Sequence, residues 1–251
     1  MTTSRPLSAA FNKPLSPARQ AEWDAVLADP GAVAPIAALA LAALDAQMRN
    51  SEQLTKAQDD LLSLTQEAAT RVLRLAESVA QLPADAPPAT EVEKLKRDIN
   101  GFTGVMRALT RLRDETLACA RQDIQLRQDI RDGIAMAQAL GNIYQNELIP
   151  QAKTDAVKAQ LKSRRLDLEH REVTLDAARA KGLMNAQSRS MMLQTIETVI
   201  ATNTRLFADE CLTPLQQMET AAARTAIDVL AQSFRAGSET IVVIRNPLRL
   251  R

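Results

Sequence analysis

Aromatic side chains are nearly missing from this chain, with one Trp, one Tyr and four Phe among 251 residues. So few rings leave few platforms on which bases could stack, and no stripe of Lys or Arg stands out, so no nucleic-acid partner is expected. Glycine is scarce too, at seven residues. A β-sandwich or a doubly wound α/β domain needs more glycine for its turns and strands richer in Val, Ile and aromatics. No GxGxxG or GxxxxGK[ST] loop is present to cradle a phosphate. The single histidine, His170 in "DLEHRE", argues against Ser–His–Asp and Cys–His catalysis. It also argues against a di-metal carboxylate bundle, which uses two Glu-x-x-His elements. Asp167 and His170 share one helix face, half of what such a metal site requires, and read instead as exposed or salt-bridged residues. Cys119 and Cys211 stand singly and far apart, without CxxC or HExxH signatures, as expected of reduced thiols packed in a cytoplasmic protein. No cofactor, metal or catalytic residue is therefore expected, and the chain reads as no enzyme.

Long hydrophobic runs are absent as well. The longest, "IAALALAAL" at 36–44, is under half of the roughly 20 residues needed to cross a bilayer, so no transmembrane segment is expected. The opening "MTTSRPLSAAFNKPLSPARQ" lacks the apolar core of a secretory signal. Charge of neither sign dominates, the formal net being +1 from 31 basic and 30 acidic residues.

What the chain does have is Ala, Leu, Gln, Arg, Asp and Glu, most of them helix formers. With 46% hydrophobic and 24% charged residues the composition is that of a folded, soluble protein. The sequence predicts an all-α fold, an elongated antiparallel bundle of long, coiled-coil-like helices.

Residues 1–20, punctuated by Pro6, Pro14 and Pro17, read as a flexible leader. A helical bundle is expected over 21–236 and a flexible tail over 237–251, where "TIVVI" has no partner strand. "SPARQAEWDAVLA" reads as a short helix capped by Ser16 and anchored by Trp23, ended by "DPGAVAP" at 29–35. From Ile36 to Leu82 there is no proline or glycine. Leu61, Leu64, Ala68, Val72, Leu75, Val79 and Leu82 step by three or four, the seam of a helix laid along partners. "PADAPPATE" at 83–91 reads as a proline-rich linker.

A second helix is expected from about Glu91 to Leu148, with stripes at Ile99–Leu109 and Ile130–Leu148. Unbroken, it would exceed ~80 Å. Gly101 and Gly104 are placed to relax or kink its start, and Gly141, on the seam, to allow close helix approach. "IPQ" at 149–151 is expected to break it. From Gln151 to about Glu210, Leu161, Leu168 and Leu175 repeat every seven residues, and Leu166, Val173 and Ala180 repeat on a nearly opposite side. Two narrow stripes predict a helix touched from both sides or projecting beyond the bundle. Pro214 is expected to kink or end it, before a last helix from about Leu215 to Phe234.

Few residues invite a functional reading. Asn203 interrupts the stripe Ile196–Ile200–Asn203–Phe207–Cys211. A buried amide is costly unless paired. Three roles stay open for it: fixing helix register or oligomer state, exposure at the stripe edge, or contact with a ligand. Arg164, Arg165 and Arg171 would face an anion, unless they are solvated charges among Asp167, Glu169 and Glu172.

The C-terminal half, "LKSRRLDLEHREVTLDAARAKGLMNAQSRSMMLQTIETVIATNTRLF", resembles the toxic-anion (tellurite) resistance proteins of the TelA family over about residues 95–225. The matching positions are Leu193 and Gln194, then Ile200, Asn203 and Phe207. Thr204 replaces a second Asn, and "TPLQQ" at 213–217 replaces a Trp-Lys pair. The resemblance implies a cytoplasmic bacterial stress protein linked to resistance to tellurite-like oxyanions or envelope-acting agents, and it carries over no catalytic residue. The leading expectation is thus a non-enzymatic helical protein that acts through protein partners or self-association along its helical seams. The alternatives are a structural adaptor of a secretion, phage or division apparatus and, less favoured, a helical pore-forming toxin subunit.

Overall fold

The computed structural model describes residues 20, 21 and 24, 34–83 and 87–236. The expected leader apart from residue 20, together with Trp23 and the C-terminal tail, lies outside the described residues. Four long helices carry the fold: α1 (Ala34–Ala80), α2 (Ala89–Ile143), α3 (Asp155–Phe207) and α4 (Ala221–Ala236). Among the described residues there is no strand, and the fold is all-α.

Local chemistry sets the helix starts. At α2 the Pro88 carbonyl accepts from the backbone N–H of Glu91 at 2.9 Å and of Val92 at 3.2 Å. Helix therefore begins earlier than the expected Glu91, with that carboxylate in the first turn, where the helix dipole favours it. Thr154 caps α3 by accepting from the Val157 N–H at 3.3 Å, and Thr220 caps α4 by accepting from the Ala223 N–H at 3.1 Å.

The two expected proline breaks turn out to be one device used twice. Before Pro150 and before Pro214 the helix opens into a five-residue π-turn, Tyr144–Leu148 and Ala208–Leu212. The N–H of Ile149 reaches back five residues to the Tyr144 carbonyl, and that of Thr213 to the Ala208 carbonyl. A proline lacks its own N–H and would clash with the carbonyl four residues back, and the wider turn carries that carbonyl aside. Helix therefore continues past both prolines, through Ile149–Gln151 and Thr213–Gln217. The chain leaves it only at Ala152 (φ −66°, ψ 123°) and Met218 (φ −78°, ψ 116°). The next helix begins at Asp155, not at Gln151 as expected.

The chain divides into two compact units. The first comprises, of the described residues, those up to Gln53 together with Cys119–Ser188; the second comprises Leu54–Ala118 and those from Arg189 onward. In the first, Ile36, Ala40 and Ala43 of α1 belong to one core with Ile130, Ile134, Ala137, Leu140, Tyr144, Leu168, Leu175 and Ala178. "IAALALAAL" thus buries one face only, since its Leu41 is 58% exposed. Close approach occurs at Gly133, where an added Cβ would meet Leu39 Cδ2 at 2.5 Å. It does not occur at Gly141, which has nothing within 4 Å of the same position, so that expectation is corrected.

The second unit has the larger core. The seam Leu61, Ala68, Val72, Leu75 and Val79 is buried together with Ile99, Phe102, Met106 and Leu109, and with Ile196, Phe207, Cys211 and Leu215. Phe102 and Phe207 stack with ring centroids 5.3 Å apart and planes 15° from parallel. Gly101 does not break α2: the Arg71 side chain fills the space beside it, with Nη1 at 2.9 Å from where a Cβ would sit.

Candidate functional site

The buried polar residues of the first unit are where α1 and α3 recognise each other. Gln47 is on the α1 seam that continues from Ala40 and Ala43, and it is fully buried. Asn185, on the α3 seam after Leu175, Ala178 and Gly182, is 5% exposed. The Asn185 side-chain N–H group donates to Gln47 Oε1 at 3.0 Å and to the Gln47 backbone carbonyl at 3.2 Å. Its Oδ1 accepts from Ser51 Oγ at 3.0 Å. The Gln47 carbonyl can only accept, so it fixes which way the Asn185 amide faces. Room for this comes from Gly182, where a Cβ would fall 2.7 Å from Gln47 Nε2. Beside it Asn50 Nδ2 donates to Asp123 Oδ1 at 2.7 Å, tying α1 to α2.

This arrangement can align helices. Both cysteines are free. Burial, followed by the nearby Glu210 carboxylate, pushes the Cys211 thiol up to about 12, so at neutral pH it is a packed apolar group and not a thiolate. Among the described residues no group of three or more His, Cys, Asp or Glu could hold a metal ion, and no helix is long and apolar enough to cross a membrane. A shallow open depression of about 330 Å³ is lined by Leu41, Ala42, Leu44, Asp45 and Met48, all on α1.

The residues singled out from sequence fall in different places. Asn203 is in the second unit, 5% exposed and so not at an exposed stripe edge. Its Nδ2 donates to the Val199 carbonyl of its own helix at 2.9 Å, while its buried Oδ1 has no hydrogen-bond donor. Arg164, Arg165 and Arg171 are half-buried on α3 in the first unit. Arg165 pairs with Glu169 at 2.9 Å and donates to Gln145 Oε1, so it already faces a carboxylate and an amide. His170 is exposed, and its backbone carbonyl accepts from Thr174 Oγ1 at 2.9 Å.

The two stripes of α3 behave differently. Leu168 and Leu175 are buried and Leu161 packs partly against them. Leu166 and Val173 are 52% and 67% exposed, and Ala180 is exposed as well. Within its unit the helix is covered on one side only; of the two expectations, contact from both sides is not met there. Met184, 70% exposed, extends the uncovered stripe.

Sequence reasoning missed Gln47 and Asn185. The signal that would have found them is the one that picked out Asn203, a polar residue landing on an apolar period. Compared with known proteins, the chain matches no family model, no curated protein and no solved structure.

Proposed function

We propose that this chain is a non-enzymatic helical scaffold of the cytoplasm that acts through protein–protein contacts, in a bacterial response to toxic oxyanions such as tellurite. The observation that carries the contact reading is the outer stripe of α3. Leu166, Val173 and Met184 are more than half exposed on one face of a helix whose opposite face is buried. Large apolar side chains aligned in this way gain free energy only when a partner covers them. The oxyanion part rests on the resemblance at Leu193, Gln194, Ile200, Asn203 and Phe207.

The test is growth on tellurite of a sensitive bacterium expressing either the chain or its Leu166→Asp, Val173→Asp double variant. Circular dichroism of the purified proteins should confirm equal helicity. Expected are resistance from the unaltered chain and its loss in the variant. No resistance from the unaltered chain would remove the oxyanion role, and full resistance from the variant would remove the contact role of this face.

A further inference from the structure

The outer stripe of α3 is a heptad seam. Leu166, Val173 and Ala180 are seven residues apart, His170 and Ala177 fall between them and Met184 follows, all at alternating steps of four and three, and all six are exposed. That is the spacing by which one helix packs along another, the small alanines letting the backbones approach. Sidedness comes from the residues that flank the seam. One edge carries Lys162, Glu169 and Asp176; the other carries Asp167, Thr174 and Lys181.

In a parallel, in-register pair of identical helices, each residue of the first edge faces the residue five positions on in its partner. Lys162 then meets Asp167, Glu169 meets Thr174, and Asp176 meets Lys181. Two of the three pairings are of opposite charge, none is of like charge, and symmetry repeats each of them. An antiparallel pair with Val173 beside Ala177 also brings Asp167 to Lys181, but it sets Asp176 against its own copy and leaves Glu169 and Lys162 without an opposite charge. Lys162, Asp167 and Lys181 are exposed, and Asp176, whose side chain is 44% exposed, pairs with Arg179 of its own helix at 2.9 Å, a surface ion pair weak enough for Lys181 of a second chain to share.

We propose that α3 pairs with α3 of a second copy of this chain, parallel and in register, along Leu166–Met184. The proposal rests on the protein-contact reading above and names the partner as the chain itself.

Sedimentation of the full chain over a range of concentrations should show a monomer–dimer equilibrium. Lys181→Asp should weaken it about tenfold by placing like charges opposite each other twice, and adding Asp176→Lys should restore it. Under mild oxidation Val173→Cys should link to itself, with the unsubstituted chain as the blank for Cys119 and Cys211. A purely monomeric chain, or a Lys181→Asp variant that associates as before, would overturn the proposal. So would a link that forms only when Val173→Cys and Ala177→Cys proteins are mixed, since that is the antiparallel outcome. A monomer whose Leu166→Asp, Val173→Asp variant still loses resistance would remove the second copy as partner and leave the contact reading standing. A dimer whose disruption leaves resistance intact would do the reverse.

Discussion

In the second unit the buried threonines and Asn203 bond within their own helices, and one half-buried pair bonds across, Ser78 donating to Asp98 at 2.9 Å. Thr103 donates to the Asn100 carbonyl, Thr110 to Met106, Thr116 to Leu112 and Asn203 to Val199. In the first unit Asn185 bonds across to Gln47 and Asn50 across to Asp123, although Asp132 still accepts from Gln128 of its own helix. A bond inside one helix is made whatever lies alongside. A bond between helices is made in one alignment only, and is lost if either slides by a turn. The second unit thus has apolar packing around Phe102 and Phe207 with its cross-helix pair half-buried beside it, while in the first a directional pair, Gln47–Asn185, joins two buried side chains and specifies which residues sit side by side.

The largest effect should come from emptying the apolar core of the second unit. Phe207→Ala removes a ring that is 1% exposed and stacked on Phe102, and should cost about 3–5 kcal/mol in a denaturant melt. A loss under about 1 kcal/mol would show that the stack is not central there.

Next comes the cross-helix amide of the first unit. Asn185→Leu strands the Gln47 side-chain oxygen without its donor and should cost about 2–3 kcal/mol. Asn203→Leu, the same chemical change in the second unit, should have the opposite sign. It gives up a bond to a carbonyl of its own helix and removes a buried oxygen that has no donor, a gain of about 1 kcal/mol. Melting curves of the two variants measured side by side decide whether the contrast holds, and equal signs would end it. Size-exclusion profiles of Asn203→Leu would report any change of assembly.

The smallest effects should come from two glycines. Gly101→Ala meets the guanidinium of Arg71, whose side chain is 32% exposed and can swing outward, so helix propensity should prevail with a gain of about 0.5–1 kcal/mol. Gly182→Ala meets the amide of fully buried Gln47 and should forfeit that gain. Thermal melts of the pair would show whether the tight spot is the exposed one or the buried one.

Much of the fold was legible because burial here follows helical period. The seam through Leu61, Ala68, Val72, Leu75 and Val79 could be read directly, as could the stripe Ile99–Phe102–Met106–Leu109. Period alone does not say whether a stripe is covered, and so it left open whether Leu166 and Val173 are buried as Leu168 and Leu175 are. The amide pair was hidden for a different reason. Gln47 and Asn185 are 138 residues apart, and neither polar side chain scores as a core residue by itself. The prolines misled by two and four residues because a π-turn has no side-chain signature ahead of Pro150 or Pro214.

Those π-turns also alter how the rest of the helix must be counted. Across the first of them, buried Tyr144 is followed by buried Ile149, a step of five where an α-helix would take three or four. The apolar face is thereby carried past one surplus residue without turning away from its core. Removing a single residue from 145–148 should then close the turn to ordinary α-helix and leave Ile149 facing inward, whereas the same deletion in the middle of α2 would rotate everything after it by about 100°. The stretch before Pro150 is therefore where this chain can lose one residue and keep its face, once Pro150 is also replaced so that ordinary α-helix meets no clash there.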